Sequence, residues 1–489
     1  MEAPLLPACG LPRDTGFLVP RPVPPHGLAD RLAVWLPVAL TFATLLQTAV
    51  GFAVLRPLTL PLLALWLVAI AARMRATERI FAAAALGSCV PVVWLDPHWP
   101  QTLGTALDRA TVFVALLTAL GLLRDAARTS AAVRRCGAWL IAQSPSRRFL
   151  ALALGGHGFG IALNMGAVTL LGTLVNRANT LQAAGGDAGI VAIREERMNV
   201  ALLQGFFSML VWSPMAISVA FSLAMVPGVS WFDMGPPAAA MAALFIAIGW
   251  AVDRVRWPPS KRRAPPRTEP IPPARQAAPM LFIIAGLVAS VLTLKAVSGM
   301  GMVEAIAWVA ALFALCWLWL QYAKLGFVRA TSIWGLRLRR HVAAYVPDMR
   351  GEQVVLGASS ALGVTLAVLL KSLGVSALLD ALALPGPVLA LAIALFIIVG
   401  SQFGIVALIT SAIAGGAVLG MQASPLSALG LVLAIQVGWA LSATLSPYSG
   451  GSMILGRILG RNPTIFARWN LPWAVVCLAA YGALLAAFS

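Results

Sequence analysis

The chain has 489 residues, of which 60% are hydrophobic and only 11% charged, with a mean hydropathy of +0.88 and a formal net charge of +18. Soluble domains carry about a quarter charged residues, so the composition excludes an ordinary soluble fold; apolar runs of about 20 residues point instead to helices that cross hydrocarbon. The ten-residue alternating pattern of a membrane barrel is absent, and the sorting of the positive charge described below argues for a lipid bilayer as partner and against nucleic acid.

Residues 1–30 are Pro-rich and lack an apolar signal core, which predicts a cytoplasmic N-terminal tail without a cleaved leader. Residues 31–146 form a first scaffold part, with spans at 32–54, 57–72, 80–95 and 102–123 and a basic amphipathic segment at 128–143 suited to the inner interface or to an ordinary basic loop. Residues 147–252 form a first transport part, with spans at 198–226 and 237–252. The basic, Pro-rich stretch 253–278 reads as a cytoplasmic linker. Residues 279–378 form a second scaffold part, with spans at 279–297, 302–322 and 352–371 and a second amphipathic segment at 328–346. Residues 379–489 complete the transport part with spans at 427–456 and 470–488.

With the N-terminus inside, these eleven spans put every Lys and Arg on the cytoplasmic side except Arg56, Arg109, Lys295 and Lys371. Positive charge is retained on that side during insertion, so the expected topology is a multi-pass protein of the cytoplasmic (inner) membrane, N-terminus in and C-terminus out. The five cysteines are scattered and show neither a disulfide framework nor zinc spacing. No metal, cofactor or catalytic residue is expected.

Two apolar stretches do not fit as spans. Residues 149–175 begin and end beside basic residues, and 386–422 begin and end on the opposite side. Each is predicted to be a re-entrant hairpin of two short helices, loosened by Gly155, Gly156, Gly158 and Gly160 in the first and by Gly400 and Gly404 in the second. They share a short pattern, "GHGFGI" at 156–161 and "GSQFGI" at 400–405. Each is followed by a span broken at Ser-Pro, Ser213-Pro214 and Ser446-Pro447, and in each a glycine precedes that serine by eight residues (Gly205 and Gly438). Pro214 and Pro447 lack an N–H and free a carbonyl one turn back. Hairpins of opposite sense with matching helix breaks are expected of an inverted repeat, the arrangement of secondary transporters.

The predicted site lies where tips and breaks meet. Its polar candidates for substrate or ion are His157, Asn164, Ser213, Ser401, Gln402, Thr410, Ser411, Ser446 and Ser449, each of which has a simpler reading as a helix-bonded side chain. His157 either carries a coupling proton or is a neutral ring bonded within its hairpin. The stretches 150–175, 198–226 and 381–456 contain no Asp, Glu, Lys or Arg. Helix N-termini and hydroxyls then favour an anion, and carbonyls favour Na⁺. Asp108 and Arg109 lie within the fourth span and read as scaffold residues, with a proton path through Asp108 as the alternative.

The architecture of eleven spans, two hairpins and two broken helices resembles the ion transporter superfamily, in particular its divalent anion/sodium symporters, over residues 57–489. That resemblance implies an all-α elevator: a scaffold of spans 1–4 and 7–9 and a moving domain of hairpins and spans 5, 6, 10 and 11. Each hairpin tip in that family carries Ser-Asn-Thr; here the first keeps Asn164 in "LNMG" and the second keeps Thr410 and Ser411 in "ITSA". The expected function is secondary transport of a small, carboxylate-like organic anion coupled to Na⁺ or H⁺. The alternatives are an ion or oxyanion exporter or antiporter of the same fold, and an integral-membrane enzyme. Elevator carriers are commonly homodimers, but no dimer face is legible in the sequence.

Overall fold

The computed structural model describes residues 27–50, 52–258 and 273–487, and these are helical with no strand among them. The N-terminal tail before residue 27 and most of the 253–278 linker lie outside the described residues. In chain order the helices are α1 Leu28–Val50, α2 Phe52–Ile70, α3 Ala76–Leu95, α4 Trp99–Thr129, α5 Ala131–Ile141, α6 Pro145–Leu163, α7 Met165–Ala178, α8 Ala188–Ser208, α9 Ile217–Met225 and α10 Trp231–Arg256. They continue as α11 Ala278–Ser298, α12 Met302–Leu320, α13 Phe327–Arg340, α14 Val346–Asp348, α15 Arg350–Ser372, α16 Val375–Leu382, α17 Gly386–Gln402, α18 Ala407–Leu419, α19 Ala428–Leu445, α20 Gly450–Leu459 and α21 Thr464–Ala487. Among the described residues, nine stretches are helical, long and apolar enough to cross a membrane; the chain is a multi-pass helical membrane protein.

Local chemistry sets many of the ends. Ser130 accepts from the Ala132 amide at the start of α5, Asp187 from Gly189 and Ile190 at α8, and Ser427 from Gly430 at α19. Ser230 and Asp233 form a capping box that starts α10. Both amphipathic segments fold as helices, α5 and α13. The first two spans meet earlier than the sequence suggests: α1 stops at Val50 and α2 starts at Phe52. The short helix α16 adds an element between the span at 352–371 and the helix pair at 386–422.

The stretch 149–175 is a helix pair, α6 and α7, joined at Asn164. The stretch 386–422 is likewise a pair, α17 and α18, joined through 403–406. The glycines of the first pair do not loosen it. α6 runs unbroken through Gly155, Gly156, Gly158 and Gly160, and these glycines allow close packing instead: a Cβ on Gly156 would lie 2.6 Å from the Leu202 carbonyl, and one on Gly160 would lie 3.0 Å from Phe206. The two glycine patterns are therefore not equivalent in space, since 400–405 runs from the last residues of α17 into the turn and 156–161 is helix throughout.

The matched glycines of the broken helices do have equivalent roles. A Cβ on Gly205 would collide with the Ala153 backbone, so α6 packs on α8 at backbone contact. A Cβ on Gly438 would lie 3.0 Å from Ala394 Cα, so α17 packs on α19 in the same way. Each first hairpin arm thus rests on the first half of the broken helix that follows it. Helix α15 packs against both α4 and α18, and α4 also packs against α1 and α12.

At one end of α4 a charged group is buried. Asp125 is 4% exposed and faces Arg337 at 3.2 Å, Arg128 at 3.6 Å and His341 at 4.0 Å. Arg128 also donates to the Tyr345 hydroxyl and lies over its ring, and Arg337 reaches the Tyr322 hydroxyl at 3.1 Å. Burying a carboxylate requires such compensation, and the network pins the amphipathic α13 to α4.

Candidate functional site

The second broken helix stops at Leu445 and restarts at Gly450. Pro447 has no N–H to continue the ladder. The Ser446 hydroxyl leaves the helix and donates to the Ser401 carbonyl at 2.7 Å, while its oxygen accepts from the Tyr448 amide at 3.2 Å. Ser449 caps α20, accepting from the Ser452 amide at 3.2 Å. The break is therefore held open by serines on either side of the proline.

The α17–α18 tip is bonded to this break. Ser401 donates to the Ile398 carbonyl at 2.7 Å, and the Gln402 amide reaches the same carbonyl at 3.3 Å and the Ser401 hydroxyl at 3.2 Å. Gly404 adopts φ +79°, which reverses the chain, and packs beside the Tyr448 ring. Phe403 and Tyr448 are 78% and 62% exposed. Thr410 packs against Gly400 across the hairpin and donates to the Ala407 carbonyl at 3.1 Å. Ser411 is buried on α18, and its hydroxyl has no partner among the described residues.

The α6–α7 tip reaches the same break from another direction. Asn164 holds φ 50° and ψ −134°, a positive-φ conformation outside the left-handed helical region, and its side chain accepts from the Met165 amide at 2.8 Å. Met165 then packs on Gly450, with its sulfur 3.3 Å from where a Cβ would stand. Residues 446–450 are thus touched by both tips. One cation approaches: the stem of Arg124, from α4, lies against Gly166, and its guanidinium is 3.4 Å from Glu352. In the sequence, Arg124 is one of a run of basic residues at a helix end, and nothing there singles it out.

The remaining candidates are placed elsewhere. Ser213 is buried in the first break and bonds locally, accepting from the Met215 amide at 3.2 Å. Ser218 spans that break by donating to the Leu210 carbonyl at 2.7 Å, and Gln436 of α19 binds the Ser218 carbonyl at 3.1 Å and the Ser222 hydroxyl at 3.0 Å. Pro214 and Pro447 both sit in breaks, as their chemistry requires.

His157 is not at a tip. It lies almost two helical turns before Asn164 on α6 and faces Trp212. The Trp212 indole donates to Nε2 at 2.9 Å, so that nitrogen is an acceptor. Nδ1 then carries the proton and donates to the Ser208 hydroxyl at 2.9 Å, which passes its own hydrogen to the Gly205 carbonyl at 2.7 Å. The imidazole is a fully bonded neutral ring that ties α6 to the first break. It borders a groove of about 480 Å³ between α6 and α10, walled by Leu150, Leu154, Ala243, Ala247 and Trp250. Among the described residues no three His, Cys, Asp or Glu side chains group as a metal site.

No family model and no curated protein matches the chain. Among solved structures, the crystal structure of the Alcanivorax borkumensis YdaH transporter is similar to this chain with a TM-score of 0.48 at 15% identity, covering 84% of this chain and 98% of that one. The structure of Neisseria gonorrhoeae MtrF, described as illuminating a class of antimetabolite efflux pumps, is similar with a TM-score of 0.44 at 13% identity, covering 84% and 94%.

Proposed function

We propose that this chain is a secondary transporter that moves a small, carboxylate-like organic anion across the cytoplasmic membrane by an elevator motion, with Na⁺ or H⁺ as coupling ion. The observation that carries this reading is the meeting of two helix-pair tips on one helix break: Met165 on Gly450, and Ser401 and Gly404 on Ser446 and Tyr448. Non-helical backbone at membrane depth is tolerated only against protein or a water-filled cavity, which is the setting of transporter sites.

The chemistry of the meeting point supports an anion. The stretches 150–175 and 381–456, which build it, carry no Asp, Glu, Lys or Arg. What they present is the start of α20 at Gly450, the start of α7 at Met165, and the hydroxyls around them. Helix starts carry free N–H groups and a partial positive charge, and Arg124 lies beside the first tip. Exposed Phe403 and Tyr448 give the solute an apolar wall. In this reading α1–α5 and α11–α15 are the scaffold, and α6–α10 with α17–α21 are the moving core.

The test is purified protein in liposomes, offered a panel of labelled mono- and dicarboxylates and sulfonates under a Na⁺ gradient or a pH gradient. Uptake of at least one, abolished by collapsing the gradient, is the expected result. No flux and no thermal stabilisation by any member of the panel overturns the reading.

A further inference from the structure

Away from the tips, a cavity of about 340 Å³ lies between scaffold helices α4 and α12 and core helix α9, lined by Asp108 and Arg109, by Leu223 and Ala224, and by Met302 and Glu304. A second cavity of about 330 Å³ adjoins it and shares Leu223, Gly301 and Met302; Asp233 and Lys295 line it. Together they form a vestibule that carries charged side chains along the boundary between scaffold and core. Glu304 stands at the junction, because its carboxylate folds over Gly301, which borders both cavities.

Arg109 crosses that boundary. Its Nη2 donates to the Ala224 carbonyl at 2.5 Å. Ala224 is in the last turn of α9, where carbonyls have no partner within the helix and a cation is favoured by the dipole. The start and middle of α9 are held by the core: Gln436 of α19 binds Ser218 and Ser222, and the Phe221 and Trp439 rings pack 5.9 Å apart. A pull on Ala224 therefore acts on α19, the helix that ends at the break at 446–450.

We propose that Glu304 is a proton-binding residue that governs this grip, so that a proton entering the vestibule latches the core to the scaffold. Ionised Glu304 competes with the Ala224 carbonyl for Arg109. Protonation converts the carboxylate to a neutral acid, the proton coming from water, and leaves Arg109 to α9. The other charged groups in reach are Asp108 and Arg109 on α4 and Lys295 on α11; Asp233 at the start of α10 borders the second cavity. Glu304 is the acid of the first cavity whose carboxylate lies over Gly301, a residue that both cavities share, which is why it, rather than Asp108, receives the proton. This inference rests on the moving-core reading above.

The test uses a cysteine pair that reports the present arrangement. A Cβ on Gly363 of α15 would lie 3.7 Å from that of Ala412 of α18, within disulfide range. Gly363→Cys with Ala412→Cys, in full-length protein whose five native cysteines are serine, is reconstituted and oxidised at pH 5.5 and pH 8. Variants are compared at the same pH, so thiol chemistry cancels. Glu304→Gln is expected to match the parent at pH 5.5 and to cross-link severalfold faster at pH 8. Arg109→Gln is expected to match the parent at pH 8 and to fall severalfold below it at pH 5.5. Glu304→Asp should retain the parent's profile.

Ratios that are the same at both pH values overturn the proton site. Complete cross-linking of the parent in a single fast phase at every pH overturns core motion itself, and with it the transport reading. Hydrogen exchange of peptides covering 217–225, in chains that keep their cysteines, makes the same comparison without the pair. Faster exchange in Arg109→Gln only at pH 5.5 is expected, and equal exchange at both pH values refutes the latch.

Discussion

The Ser446 hydroxyl donates to the backbone carbonyl of Ser401 at 2.7 Å, and both residues are buried. One hydrogen bond thus joins the tip of the α17–α18 pair to the break between α19 and α20. Removing one partner of a buried bond leaves the other unsatisfied, at about 1–3 kcal/mol. Ser446→Ala is expected to lower stability by that amount, read as a drop in the thermal midpoint of the detergent-solubilised protein. Ser424→Ala, which removes an exposed loop hydroxyl, should leave the midpoint unchanged.

Gly205 is expected to be intolerant of any side chain. A single methyl there meets the Ala153 carbonyl, and backbone cannot yield as a flexible side chain can. Overpacking of this kind costs about 1–3 kcal/mol or more. Gly205→Ala should therefore express poorly or unfold early. Gly335→Ala is the control: it sits in α13 with nothing within 4 Å of the new methyl, and alanine favours helix by about 0.5–1 kcal/mol.

His157 is expected to behave as a structural ring. Gln, with one acceptor and one donor group, can serve both Trp212 and Ser208; Phe leaves both without their partner. His157→Phe should lose about 2 kcal/mol or more of stability, and His157→Gln much less. Measured by uptake against pH, His157→Gln should keep the parent's profile. A profile flattened by that substitution would make His157 the coupling group.

His341 lies outside the membrane-spanning helices, and burial pushes its pKa down to about 4, with Arg337, Arg128 and Arg124 adding to the depression and Asp125 opposing it. In the unfolded chain the imidazole titrates near 6.5. Between those values the unfolded state holds a proton that the folded state refuses, so stability falls as pH drops through that window. The loss approaches about 3 kcal/mol below pH 4. Midpoints of His341→Phe should depend less on pH than those of the parent between pH 6.5 and 4, which a thermal scan at half-unit steps would detect.

Much of the helix layout is legible in the sequence because its causes are local. Apolar run length, Pro447 inside such a run and the capping pattern at Ser230 and Asp233 each act within a turn or two, and α19, α20 and α10 begin or end where those residues require. Glycine is harder to read. Gly156 and Gly404 occur in the same short pattern, yet one allows a helix to touch Leu202 and the other supplies a left-handed turn, because the role depends on what packs nearby.

By itself the sequence determined a multi-pass helical chain with two apolar helix pairs, each preceding a broken helix, since hydropathy and proline chemistry depend on residues close in the chain. The tertiary structure alone decided that Met165 meets Gly450, that Arg124 meets Gly166 and that Arg109 grips Ala224. Those contacts depend on how whole helices cross and slide past one another, and crossing geometry is set by the shapes of distant side chains that no local pattern encodes.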